Sequence, residues 1–394
     1  MTRSHLSKID LFFIRSLFLC ALLSCSSEDG LSPSGLQETI QAEMASLGIK
    51  GLAIATIDGN RIDIIDGFGF QNTISQIPLN ENSLFVSLSI AKLVVATAVM
   101  QQVEAGLIDL DEDISTYLEY EFRNPNFVDV PITARLLMTH QSSLANPDVG
   151  GEEDPNFDFS FVIPETRIDM ESWVSSFLIP GGEMYNPKLW KNYNPGSSAP
   201  HLSSNMGISI LAHLVEKVAN MTFGEYTRTN IFEPLEMENT GYDWNQSPGS
   251  LDNSLFVEHF TSLGTPHPTN FGSKHYAAVL LRTSVKDWAN FLLCILNRGQ
   301  FKGRAILDEN SVNMMLDIKF PEADLPFNAG IGLVWRSYGT WLGHTSGGLT
   351  SASSVVNPET GDGFIVISNG RGESASTVYP GGNIYKALVN HLER

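Results

Sequence analysis

The run Phe85-Val86-Ser87-Leu88-Ser89-Ile90-Ala91-Lys92 decides how this chain is read. After it, Val94, Ala98, Val103 and Leu107 recur at helical spacing, and Gly106 followed by the acidic stretch 109–113 closes the pattern. Ser89 therefore stands at a helix N-terminus with Lys92 one turn on, so that hydroxyl and amine share a face. A serine needs an adjacent base to become a nucleophile, and a lysine desolvated beside it has the lowered pKa for that task. The helix N-terminus favours the negative charge that develops. Taken alone the motif is short: the same four residues describe a helix capped by its serine, with a lysine snorkelling to the surface.

Working outward, residues 36–47 carry apolar positions at helical spacing, and 51–57 and 61–70 read as two strands joined at the hairpin-type turn Asp58-Gly59-Asn60. The middle of the chain, about 119–275, contains helical patterns at 133–138, 207–218 and 223–231. A long Asn/Pro/Gly/aromatic stretch over 143–200 reads as loop. Strand signals return at 330–335, 340–344, 351–356 and 363–368, before a last helix near 384–392. Strands at both ends around a helical middle predict one sheet built from both termini with a helical subdomain inserted. There is no internal repeat.

At the N-terminus, Arg3, Lys8 and Arg15 precede the apolar run 17–23 and then Ser24-Cys25, the layout of a bacterial export signal. The run falls short of the roughly 20 residues a spanning helix needs. Leu22-Leu23-Ser24-Cys25 resembles a lipobox, in which residues 1–24 are removed and Cys25 is lipidated; an ordinary secreted protein cut nearby is the other reading. Residues 25–34 would be a tether, and the chain is expected to be exported and lipid-anchored to a bacterial membrane, facing the periplasm or the cell surface. Cys294, within Phe291-Leu292-Leu293-Cys294-Ile295, is then the remaining cysteine and reads as a core residue, so neither a disulfide framework nor a cysteine metal site is expected. A net charge of −20 argues against a nucleic-acid partner. Glu152-Glu153-Asp154 lacks calcium-loop spacing, and zinc-protease, phosphate-loop and dinucleotide motifs are missing, so no metal or cofactor is expected.

The nucleophile run, continued by Ala96-Thr97-Ala98-Val99-Met100-Gln101 and Gly106-Leu107-Ile108-Asp109-Leu110-Asp111, resembles the nucleophile helix of class C β-lactamase-related serine hydrolases and penicillin-binding-protein-like enzymes. Further matches follow in family order: Arg135-Leu136-Leu137-Met138-Thr139-His140-Gln141-Ser142-Ser143-Leu144, Asn194-Pro195-Gly196, and Glu233-Pro234-Leu235-Glu236-Met237-Glu238-Asn239-Thr240-Gly241. Gly330-Ile331-Gly332-Leu333-Val334-Trp335 and Gly343-His344-Thr345 complete the series. The resemblance implies an α/β fold of the β-lactamase/transpeptidase type. It has an antiparallel sheet over about 35–114 and 276–394, flanked by helices, an all-α subdomain over about 115–275, and the active site between them.

It also implies an acyl-enzyme mechanism on an amide or ester of a small-molecule or short-peptide substrate, with no cofactor: Ser89 attacks, Lys92 takes its proton, Ser203 relays, Asn205 positions and His344 contacts substrate or the relay. Two departures bear on this. Where the family writes Tyr-Ser-Asn, this chain has Ser203-Ser204-Asn205, and the S-x-N spelling of class A β-lactamases would let the Ser203 hydroxyl relay the proton. His201, two residues before it, is an alternative base. The third motif, Lys-Thr-Gly or His-x-Gly, appears as Gly343-His344-Thr345-Ser346-Gly347-Gly348, so that Ser346 replaces the glycine or one residue is inserted. Thr345, Ser346 and Gly347 would border substrate and, with the amide of Ser89, the oxyanion. The resemblance assigns His140 to a structural segment. The aromatic residues of 146–200, Phe157, Phe159, Trp173, Phe177, Tyr185, Trp190 and Tyr193, are either pocket lining or a satellite core. A catalytically silent binding lipoprotein on the same fold is the rival reading, and the oligomeric state is left open.

Overall fold

Strand β1 (Gly51–Asp58) shows how the sequence builds layers on both sides of one sheet. Alternate side chains of a strand face opposite ways. Leu52 and Ile54 accordingly enter an apolar layer beneath the terminal helices, while Ala53, Ala55 and Ile57 enter the larger core shared with the helical subdomain. In this computed structural model of the chain the described residues are 32–145, 170–183, 185–197, 203–242, 251–260, 265–267, 275–321, 330–370 and 373–393. Cys25, the acidic run at 152–154, Phe157, Phe159 and His201 lie outside them, as does the side chain of Phe177.

The sheet comprises β1, β2 (Arg61–Asn72), β3 (Ile77–Pro78), β4 (Phe320–Pro321), β5 (Gly330–Ile331), β6 (Arg336–Tyr338), β7 (Trp341–Ser346), β8 (Ser351–Asn357) and β9 (Asp362–Ser368). Among the described residues it is nine-stranded, in the order β4-β5-β6-β7-β8-β9-β1-β2-β3, with every pairing antiparallel. The two chain ends meet where Leu52 pairs with Ser368, which is the both-termini sheet that the sequence predicts.

The helices used below are α1 (Pro33–Leu47), α2 (Ala91–Glu104), α3 (Ala134–Met138), α4 (Met170–Leu178), α5 (Asn205–Ala219), α6 (Val285–Leu296), α7 (Glu309–Leu316), α8 (Glu373–Val378) and α9 (Asn383–Leu392). Helices α1, α8 and α9 cover one face of the sheet, and α6 packs on the other against β1 and β9. Cys294 is buried on α6, as its apolar neighbours imply.

Three sequence expectations are corrected here. Helix α1 begins inside the supposed tether, because the Ser32 hydroxyl accepts from Gly35 N at 3.2 Å and Pro33 sets the first helical turn. The stretch 143–200 is not all loop: α4 forms within it, followed by a 3₁₀ turn at Pro187–Leu189. Trp173, Val174 and Leu178 are buried, and Trp190 donates to Leu178 O at 3.3 Å and meets Phe122 at 5.3 Å between ring centroids, so these two tryptophans are core. The strand expected over 330–335 stops at Ile331. Val334 takes φ 72° while its amide donates to Met138 O at 2.9 Å, tying this turn to α3 instead of to a neighbouring strand. A β-branched residue in that region is a genuine backbone outlier.

Candidate active site

The nucleophile turn is built before helix α2 proper starts. Residues Leu88–Ile90 form a 3₁₀ turn that leads into α2, and Leu88 holds φ 46°, a strained conformation for a bulky side chain. The turn leaves Ser89 half-buried and reachable, whereas Lys92, one turn on, has no exposed surface. Lys92 Nζ lies 2.6 Å from Ser89 Oγ. Burial, aided by the nearby positive charge of Arg336, lowers the Lys92 amine from 10.5 to about 7. The snorkelling-lysine reading of the motif therefore fails: the side chain is enclosed, and its hydrogen-bond partner is the serine.

The sheet supplies the opposite wall. Strand β7 packs against the nucleophile turn, and a Cβ on Gly348 would stand 2.9 Å from Leu88 Cδ1, so the end of the third motif abuts the turn that holds Ser89. On β7, His344 is buried, with Nδ1 2.6 Å from Thr345 O. A carbonyl oxygen only accepts, so Nδ1 carries the proton and Nε2 presents a lone pair; Nε2 finds no hydrogen-bond partner among the described residues. Burial, with Arg336 and Lys92 nearby, holds the His344 pKa well below its usual value, so the ring is neutral. Ser346 does not protrude into an open cleft: it is 2% exposed, and its hydroxyl also lacks a hydrogen-bond partner among the described residues. Thr345 is half-buried and Gly347 exposed.

The second motif lies at the start of α5, which packs on α2. Ser204, not Ser203, is the buried member: its hydroxyl caps the helix by accepting from Gly207 N at 3.0 Å. Ser203 is exposed and Asn205 half-buried. Ser209 Oγ donates to Asn205 O at 2.9 Å and takes its own partner from His275 Nδ1 at 3.1 Å, which anchors the turn that carries Asn205. His140, in the segment expected to be structural, is buried with φ 56°. Its Nδ1 accepts from Ser204 N at 3.4 Å, which ties this segment to the second motif.

Sequence reasoning missed Arg336, a half-buried residue paired with Gly343 across β6 and β7, whose charge acts on both Lys92 and His344. Nothing in its neighbourhood of sequence marks it. Because Arg336 helps to hold Lys92 down, Arg336→Gln should move the Lys92 titration above about 7. The pH dependence of Ser89 labelling measures this, and a midpoint unchanged or lowered would contradict the electrostatic link.

A reachable serine hydroxyl bonded to an enclosed lysine, between a helical subdomain and an antiparallel sheet drawn from both chain ends, defines the serine β-lactamase and penicillin-binding-protein class. The chain belongs to the Beta-lactamase family, whose profile matches residues 36–387. It is 20% identical to Protein flp of Staphylococcus aureus over 362 residues, 91% of this chain and 67% of that protein. Among solved structures, a D-amino acid amidase from Ochrobactrum anthropi superposes with a TM-score of 0.69 at 21% identity, covering 91% of this chain and 97% of its own. A class C β-lactamase from Rhodobacter sphaeroides superposes at 0.68 with 17% identity, covering 91% and 99%. At these identities the structural likeness speaks for the fold.

Proposed function

We propose that this chain is an exported, lipid-anchored serine hydrolase that opens an amide or ester bond of a small or short-peptide substrate through an acyl-enzyme on Ser89. The observation that carries this is the fully buried Lys92 amine, poised near neutral pKa, 2.6 Å from a reachable Ser89 hydroxyl. In its neutral form Lys92 takes the proton of Ser89 as Oγ attacks the carbonyl carbon. The carbonyl oxygen becomes an oxyanion facing the amides of Ser89 and of the end of β7. Its collapse expels the amine or alcohol, which leaves with the proton from Lys92; water then repeats the sequence and frees the acid. Neutral His344 offers its Nε2 lone pair, and Asn205 its amide, to orient substrate beside the amine.

The reading of substrate as a D-amino-acid amide, peptide or ester draws support from the amidase and β-lactamase relatives. It also draws support from the Arg336 guanidinium, whose positive charge acts on both Lys92 and His344 in a chain of net charge −20, which suits a substrate bearing a carboxylate. A panel of D- and L-amino-acid amides, short esters and penicillins tests it. Turnover confined to D-amides or esters supports the reading, and turnover of none by a protein labelled at Ser89 would contradict it. Export and anchoring through Cys25 are tested by radiolabelled palmitate incorporation, lost in Cys25→Ser.

A silent binding lipoprotein is favoured by two observations, the exposed Ser203 where the family places a tyrosine and the side chain of Ser346 where it places glycine. Failure of Ser89 to label in a folded protein would select it.

A further inference from the structure

The end of β7 is gripped from behind by a residue that no motif marks. Tyr379, directly after α8, donates its hydroxyl to Ser346 O at 2.8 Å. Burial pushes the phenol up to about 12, so it stays a donor across the working range. A Cβ on Gly347 would collide with that hydroxyl, so the glycine and the tyrosine are fitted to one another. The carbonyl of Ser346 and the N–H of Gly347 belong to a single planar trans peptide, in which the two point in opposite directions. Holding the oxygen toward Tyr379 therefore fixes the N–H away from it, and the next residue, Gly348, is the one that abuts Leu88 of the nucleophile turn. A donor on the carbonyl also polarises the peptide and strengthens its N–H as a donor.

We propose that Tyr379 is a positioning residue that aims the Gly347 amide N–H at the oxyanion formed on Ser89 attack. The proposal rests on the reading of Ser89 as nucleophile. It explains how a third motif with Ser346 in place of glycine still presents an amide at the right place: the backbone is set from the opposite side of the strand by a hydroxyl outside the motif.

The test compares wild type, Tyr379→Phe and Tyr385→Phe. Tyr385 is a buried tyrosine of the same apolar layer whose hydroxyl has no hydrogen-bond partner among the described residues. Two readings are taken: the Gly347 amide resonance by NMR without any ligand, and kinact and KI for a fluorophosphonate. In Tyr379→Phe the Gly347 resonance should move, and kinact should fall about tenfold with KI unchanged, a partial loss of the effect of one oxyanion donor. Tyr385→Phe should leave both readings as in wild type. An unmoved Gly347 resonance, an unchanged kinact, or an equal change in Tyr385→Phe would each overturn the proposal. If wild type itself fails to label, the hydrolase reading falls separately, and the Gly347 resonance alone decides whether Tyr379 sets this peptide.

Discussion

Replacing Lys92 with methionine should lower the rate of Ser89 acylation by about 10²–10⁴-fold, the contribution of a positioned general base, while making the protein more stable. The two effects have one origin. An amine held at about 7 instead of 10.5 is a group whose charged form the fold disfavours. A shift of this size corresponds to roughly 5 kcal/mol as an upper bound, and methionine fills a similar volume without the charge. The pH dependence fixes the sign. Below about pH 7 both folded and unfolded chains carry the protonated lysine, and the cost of the buried charge is present in full. Between about 7 and 10.5 the unfolded chain binds the proton and the folded chain does not, so wild-type stability rises with pH across that window. Lys92→Met should lose this rise. Urea unfolding from pH 6 to pH 10 measures it, and a destabilised variant with an unaltered pH trend would mean that Lys92 is not a desolvated base.

Trp288→Ala should cost about 3–5 kcal/mol, the range for stripping a large aromatic from a closed core. Trp288 on α6 has no exposed surface, meets Phe291 at 5.1 Å between ring centroids, and donates from Nε1 to Ser354 Oγ at 2.7 Å. Ser354 stands opposite His344 in the β7–β8 register, so the indole pins the strand that backs the third motif. Truncation opens a cavity between α6 and the sheet and leaves the buried Ser354 hydroxyl without its donor. Trp288→Phe removes the hydrogen bond and less volume, and should cost about 1 kcal/mol or somewhat more. Denaturant unfolding of the two variants separates the contributions. Equal losses in both would assign the whole effect to the hydrogen bond and contradict the packing account.

Much of this was legible in the chain before its structure. The apolar runs at 51–57 and 363–368 named the strands that join the termini, because a strand covered on both faces reads as a nearly continuous apolar run. Ser89 and Lys92 were legible because one helical turn brings i and i+3 together whatever the rest of the fold does. What was lost lies in backbone settings and long-range contacts. The positive φ of Leu88 and Val334 has no signature in those residue types, which normally avoid it. The helix at Met170–Leu178 hid in a stretch rich in aromatics and turn residues, since tertiary packing of Trp173 and Leu178 and not local propensity holds it. In the second motif the spacing pointed to the start of α5, but the sequence did not show that Ser204 caps this helix while Ser203 is exposed. Arg336 acts through its charge and Tyr379 through a hydrogen bond to the backbone 33 residues away, which no local pattern encodes.

Intact-mass spectrometry of the folded protein after incubation with a fluorophosphonate, beside Ser89→Ala, tests the central claim most directly. The account predicts one adduct on wild type, formed faster as pH rises through about 7, and none on Ser89→Ala. An unlabelled, folded wild type, or an adduct that persists in Ser89→Ala, would contradict it.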